Sequence, residues 1–296
     1  MLFLALPLCG QQGMLLVGSS KEIADSLISV HPNAAAAWSF RLLSDDYTGD
    51  CVTILRASDG ASSAIGFLSS GVIDTTSINS FCSATVCYAM TWNDQGGEGY
   101  DATAADTTVA PTIYQGGAIV RKGSQVSLYF DGADILNVSD IAAIAADSTN
   151  SFYSVSASTA NNALGVVFNA GALTSNFAIL HDRRTVRRNF YQQYASSAVS
   201  AHVANLSTTR NDANLRLLVS YRNKSTNSIS GFDNGATGTT DVYTNSVTAT
   251  NPTIGYRLTG PFYLTGYISE LIINRVDNSS DRTEIENNIN NYYSIY

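Results

Sequence analysis

From Cys51 onward, the apolar residues of this chain recur with a period of two. Leu215, Leu217, Val219 and Tyr221 alternate with Arg216, Leu218 and Ser220; Val126, Leu128 and Phe130 alternate with Ser127 and Tyr129; Val52 and Ile54 flank Thr53. Successive side chains of a strand point to opposite faces, so this period describes strands with one face on a core. The same reading predicts strands at 152–157, 165–168, 177–181, 188–194, 229–233, 253–256 and 263–274. Clusters such as Asp131-Gly132 and Asp233-Asn234-Gly235 supply the turns between them. Many short strands punctuated in this way predict an all-β, antiparallel β-sandwich of lectin-like jelly-roll type. No repeat of 20–50 residues runs along the chain, which excludes a solenoid or propeller.

Helical signals sit at the two ends. Ser19-Ser20-Lys21-Glu22 has the form of a capping box, and Ile23, Leu27 and Ile28 follow at helical spacing, so a short helix is expected over about 20–30. Pro32 ends it. The good helix formers from Ala34 to Leu43 predict a further turn or two. A last helix is expected from about Asp281, with Ile285, Ile289 and Tyr292 on one face. Two segments result: an N-terminal arm and short helix, 1–33, and a sandwich with its C-terminal helix, 34–296.

The arm is apolar. Leu2, Phe3, Leu4, Leu6 and Leu8 precede Cys9, and Met14, Leu15 and Leu16 follow it. No Lys or Arg stands before the run, as a secretory leader requires, and Leu8 occupies the place where lipoprotein processing takes a small residue. The run is shorter than the ~20 apolar residues that cross a bilayer, so no membrane insertion is expected. An apolar arm kept on the protein needs cover, either from its own sandwich or from a neighbouring subunit in a homo-oligomer.

Only 14% of the residues are charged, and the net charge is −8. An acidic chain of this kind disfavours nucleic acid as a partner.

The stretch 34–138 reads AAAAWSFRLLSDDYTGDCVTILRASDG, then IDTTSINSFCSATVC, TWNDQGGEGYDAT and SLYFDGADILNV. This order of phrases resembles the α-L-arabinofuranosidase B catalytic domain, and also concanavalin A-like, laminin-G-like sandwich proteins of tailed-bacteriophage virions. The last strand, Tyr263-Leu264-Thr265-Gly266-Tyr267-Ile268-Ser269-Glu270-Leu271-Ile272-Ile273-Asn274, resembles the closing G-x-I-x-E-hydrophobic strand of laminin-G and concanavalin A-like domains, with Gly266 allowing close sheet packing. Cys82 and Cys87 are close enough for a local bridge, and the arabinofuranosidase resemblance implies a cysteine pair there. Buried free thiols are the other reading.

Three groups of residues are candidates for function. Trp92, Asp94, Gln95, Glu98, Tyr100 and Asp101 belong to a Gly-rich phrase that resembles W-x-D-Q-S-G-x-G-x-D in the related families. It could line a sugar site or a structural calcium site, or serve as a tied-down loop. No other cofactor or metal is implied, since His31, His181 and His202 are scattered singly. A glycosidase needs two carboxyl groups flanking the scissile bond. The five glutamates are Glu22, Glu98, Glu270, Glu284 and Glu286. Glu22, Glu284 and Glu286 fall on expected helices and read as solvated or capping. Glu98 and Glu270 remain, with Asp94, Asp101, Asp131 and Asp134 as possible partners, and Glu270 reads as a hydrogen-bonded structural carboxylate.

With no complete catalytic pair legible, the sequence leads to an expectation of a non-enzymatic bacteriophage structural protein. It would be assembled in host cytoplasm and displayed on capsid or tail for decoration or adhesion. Its partners would be copies of itself, other virion proteins and host-surface glycans, with Leu2, Phe3, Leu4, Leu6, Leu8, Met14, Leu15 and Leu16 at the interface. The alternatives are a glycoside hydrolase of arabinofuranosidase type and a stand-alone lectin.

Overall fold

A computed structural model describes residues 26–139, 149–159, 164–172, 175–182, 190–193, 202–205, 213–242, 251–257 and 262–296. The apolar arm with Leu2, Phe3, Leu4, Leu6, Leu8, Met14, Leu15 and Leu16, and the capping box before residue 26, lie outside the described residues. A first helix, α1 (Leu27–Val30), is followed by strands β1 (Ala34–Ser39), β2 (Val52–Arg56) and β3 (Ser62–Ile65). Helix α2 (Thr75–Phe81) leads to β4 (Cys87–Trp92), β5 (Ala102–Thr103), β6 (Thr112–Gln115) and β7 (Ala118–Ile119). Then come β8 (Arg121–Lys122), β9 (Gln125–Val126), β10 (Leu128–Asp131) and β11 (Leu136–Val138). The second half holds β12 (Asn150–Ser158), β13 (Leu164–Ala172), β14 (Ser175–Asp182), β15 (Phe190–Gln193) and β16 (His202–Asn205). It continues with β17 (Arg216–Asn223), β18 (Ser228–Asp233), β19 (Ala236–Val242), β20 (Thr253–Ile254), β21 (Tyr256–Arg257), β22 (Phe262–Tyr263) and β23 (Thr265–Asn274), and ends with helix α3 (Arg282–Tyr293).

All strand pairs are antiparallel, and they form two layers. In the first, β23 is central: β12 lies on one side, followed by β17, β18 and β19, while β1 and β10 share the other. The second runs β3-β2-β4-β5-β11-β20-β13-β14-β15-β16. Strand β6 links β4 to β10 and so joins the layers. The sandwich core lies between them, with Trp38, Phe40, Val52, Ile54, Trp92, Leu128, Phe130, Phe152, Phe168, Ile254, Leu271 and Ile273 in one buried cluster. A second cluster covers the outer face of β12, β17 and β23, where Tyr153, Val155, Leu217, Val219 and Ile272 meet Ile285, Ile289 and Tyr293 of α3. Burying each such isoleucine is worth about 1.5–3 kcal/mol, which holds the helix on the sheet.

Two expectations need correction. Ala34–Ser39 is a strand, not a helical turn: its register along β23 places Ala35, Ala36 and Trp38 on the core and Ala37 under α3. Tertiary pairing outweighs the helix preference of alanine here. Glu286 is also buried, not solvated; Arg282, one turn earlier, holds it at 3.0 Å. Gly266 is needed for a close approach, since a Cβ there would collide with the Ala157 carbonyl oxygen. Cys82 and Cys87 form a disulfide, with their Cα atoms 5.9 Å apart, that ties the end of α2 to the start of β4.

Candidate functional site

The loop after β4 spends its polar groups on its own chain. Asp94 is buried; its Oδ1 accepts backbone N–H groups from Ala37 and Gly96, both at 2.7 Å, and its Oδ2 accepts from Tyr100 at 3.1 Å. Its own N–H donates to Asp101 Oδ1 at 2.9 Å. Burial pushes the Asp94 carboxyl above the usual range, while those three N–H groups pull against it. The buried Gln95 acts as a surrogate strand: its Oε1 accepts from Leu43 N–H, and its Nε2 donates to the carbonyls of Ser39 and Arg41. Trp92 stacks on Phe40 with centroids 5.0 Å apart, and Trp38 Nε1 donates to the Tyr100 carbonyl. Glu98 pairs with Arg275 at 3.0 Å on the surface. The arrangement splints the irregular chain after β1 to the second layer. Of the six sequence-predicted residues, Glu98 alone presents an exposed carboxylate. Among the described residues, no group of three or more His, Cys, Asp or Glu side chains is placed to hold a metal ion.

Glu270 is committed as well. It lies on the α3 side of β23, 1% exposed. Arg41 grips it with two bonds, Nε to Oε2 at 2.8 Å and Nη2 to Oε1 at 2.9 Å. Ser39 Oγ and the Tyr293 hydroxyl also donate to Oε2, at 2.7 and 3.2 Å. Burial lowers the Arg41 pKa, but the paired carboxylate outweighs it and the net shift is upward. Such a carboxylate has no free lone pair aimed at solvent, so Glu270 is structural and is ill placed to attack or protonate a substrate.

A different acid fits proton transfer. Asp134, in the β10–β11 turn, is buried; its Oδ2 accepts the Asp131 N–H at 2.8 Å. Burial, with the neighbouring Asp131 charge adding to it, pushes its pKa up to about 7. Its backbone carbonyl lies against Gly255, whose positive φ of 85° continues the chain from β20; a Cβ there would stand 3.1 Å from that oxygen. On the other side of β20, Asn169 of β13 pairs in register with Thr253, which pairs with Asn137 of β11. The row continues through Thr103 and Thr91 to Thr53. Because opposed residues share a face, and the flanking Ile254, Phe168 and Trp92 fill the core, this polar row faces away from it. Asn169 is fully buried, and neither its Oδ1 nor its Nδ2 has a hydrogen-bond partner. The sequence reading missed Asn137, Thr253 and Asn169. Only strand register brings the three into line.

The profile of the family described as alpha-L-arabinofuranosidase B, catalytic, matches residues 28–176, half of the chain. The chain belongs to this arabinofuranosidase B catalytic family. Among curated proteins it is 40% identical over 74 residues to an alpha-L-arabinofuranosidase of Hypocrea jecorina, and 41% identical over 68 residues to an arabinofuranosidase/β-xylosidase of Trichoderma koningii. Those segments are 25% and 23% of this chain and 15% and 14% of the two relatives. In fold it is similar to an arabinofuranosidase complexed with arabinofuranosyl-α-1,2-xylobiose (TM-score 0.69, 14% identity) and to a mutant GH54 α-L-arabinofuranosidase soaked with 4-nitrophenyl α-L-arabinofuranoside (TM-score 0.70, 15% identity). Each superposition covers 89% of this chain and 64% of the other, so the chain spans less than two thirds of the length of these relatives.

Membership of the arabinofuranosidase B family corrects the sequence-based function. The bacteriophage reading, with its non-enzymatic capsid or tail decoration, adhesion and virion location, is overturned by the family match and by curated fungal relatives named for arabinofuranosidase activity. The hydrolase alternative is the one these likenesses back.

Proposed function

We propose that the chain is a glycoside hydrolase that releases α-L-arabinofuranosyl groups. The family match across residues 28–176 carries this reading, and a sandwich fold shared with arabinofuranosidases over 89% of the chain supports it. Asp134 is the described carboxyl best suited to general acid work. A group that titrates near neutrality both holds a proton at working pH and releases it to a leaving-group oxygen. Asp131 adds to the burial that raises it. Asn169, with unspent hydrogen-bonding capacity on the other side of β20, is suited to sugar hydroxyls.

The test is release of 4-nitrophenol from 4-nitrophenyl α-L-arabinofuranoside. The wild-type chain should turn it over, and Asp134→Asn should lower kcat by roughly 10²–10⁴-fold, the usual worth of a positioned acid. Glu270→Gln, assayed at a temperature where it stays folded, should keep kcat within a few fold. Absence of wild-type turnover sinks the hydrolase reading; an unchanged kcat in Asp134→Asn removes this residue from it.

A further inference from the structure

On the outside of the sandwich, a second register row crosses five strands. Leu55 of β2 stands opposite Tyr88 of β4, Tyr88 opposite Thr112 of β6, Thr112 opposite Tyr129 of β10, and Tyr129 opposite Tyr267 of β23. Opposed residues project to one side of their sheet, and the alternate positions Ile54, Ala89, Ile113, Leu128 and Ile268 fill the core, so the row lies on the outer surface, turning over β6 from the second layer to the first. All five members are partly exposed. The Tyr129 and Tyr267 rings lie 5.1 Å apart, and Lys122 Nζ sits 5.4 Å from the Tyr267 ring centre. Exposed Asp131, two residues beyond Tyr129, projects to the same side.

We infer that this row is a surface track for a neutral glycan chain, separate from the committed Asp94 loop and from the polar row at Asn169. Four strand intervals of ~4.8 Å give it a contour of about 19 Å around β6. A row one residue wide is far below the ~800 Å² per partner of a stable protein interface, yet it suits a narrow polymer. Its chemistry matches a sugar chain: apolar ring bodies with hydroxyl tips, a threonine hydroxyl between them, and one cation and one anion at the end. With both signs present, the track favours no charged polymer over an uncharged polyol. Binding here requires no turnover, so the inference stands apart from the hydrolase reading.

Affinity electrophoresis of the full chain through gels containing soluble arabinoxylan, with titration of xylohexaose, tests it. The wild-type chain should be retarded. Tyr88→Ala and Tyr129→Ala should each weaken binding about two- to tenfold, the range an aromatic contact carries, while Tyr88→Phe and Tyr129→Phe should keep most of it. Melting curves check that the variants fold. Thr112→Arg, which places a cation mid-row without removing a ring, gives a second route to the same loss. No retardation of the wild type, or unchanged retardation in folded Tyr88→Ala, Tyr129→Ala and Thr112→Arg, overturns the inference. So does sedimentation showing a dimer that these substitutions dissociate, since the occupant would then be a second copy of the chain.

Discussion

Arg41 and Glu270 meet as fork and carboxylate, 229 residues apart in sequence, with contacts of 2.8 and 2.9 Å. Arg41 follows β1, Glu270 lies mid-way along β23, and α3 closes over both: Asn288 accepts from Arg41 Nη1 at 2.7 Å, and Tyr293 donates to Glu270. Tyr292 adds its ring 5.1 Å from the guanidinium. The pair thus fastens the first strand, the central strand and the last helix at one point. Removing one partner leaves an uncompensated buried charge, so Glu270→Gln and Arg41→Met should each cost about 3–5 kcal/mol. The double variant should cost less than the two singles summed. Urea unfolding measures all three; a loss below ~1 kcal/mol in the singles would show that the pair does not hold α3.

The Asp94 carboxylate serves three backbone donors from both sides of the loop. Hydrogen bonds to an ionised group are worth ~1.5–3 kcal/mol each, and their loss strands buried N–H groups. Asp94→Ala should therefore destabilise by at least about 3 kcal/mol, and Asp94→Asn by less, because the amide oxygen keeps one acceptor. Glu98→Gln, which breaks only a surface pair, should shift stability by under ~1 kcal/mol. Equal effects of Asp94→Ala and Glu98→Gln on the unfolding midpoint would contradict this assignment of roles.

The parts that were legible in the sequence are those that local chemistry decides. Leu217, Val219 and Tyr221 alternate because one face of β17 packs under α3, and that period is visible without a structure. Ile285 and Ile289 likewise announce the buried face of α3. Ala34–Ser39 misleads, because four alanines carry helix preference while their burial along β23 depends on a strand more than 230 residues away. Helix α2 is rich in Thr and Ser; its one clear signal is Asp74, whose carboxylate caps the N–H groups of Thr76 and Ser77. Glu286 reads as solvent-facing until β17 and β18 are placed beneath it. Asn137, Thr253 and Asn169 share a row only through register, which depends on two intervening chain crossings. The acid character of Asp134 arises from desolvation, which a sequence does not record.

The disulfide closes a short loop between α2 and β4. Chain-entropy reasoning gives such a loop about 2 kcal/mol, so reduction should lower Tm by several degrees without unfolding the chain at 25 °C. Cys51 is fully buried, and burial pushes its thiol well above the ordinary range. It should resist alkylation in the native state and react promptly in urea, while Cys82 and Cys87 become reactive only after reduction. Mass spectrometry of peptides alkylated before and after reduction checks both; rapid native labelling of Cys51 would refute its burial.

Asp134 makes stability depend on pH, and the proposed acid role would place the pH dependence of turnover in the same window. Its folded pKa is about 7, against an ordinary 3.8. The folded state therefore binds the proton more tightly than the unfolded chain does. The contribution is fully present below about pH 3.8, declines as pH rises, and is gone above about pH 7, where burying the ionised carboxylate is no longer offset by protonation. Asp134→Asn keeps a neutral group of the same shape, so its melting temperature should change less between pH 5 and pH 8 than that of the wild type, and should exceed it at pH 8. If Asp134 is also the general acid, wild-type kcat should fall as pH rises through about 7, and the residual kcat of Asp134→Asn should lose that limb. Parallel melting curves for the two proteins across this range would show that Asp134 titrates as an ordinary surface carboxylate and would remove it from both roles.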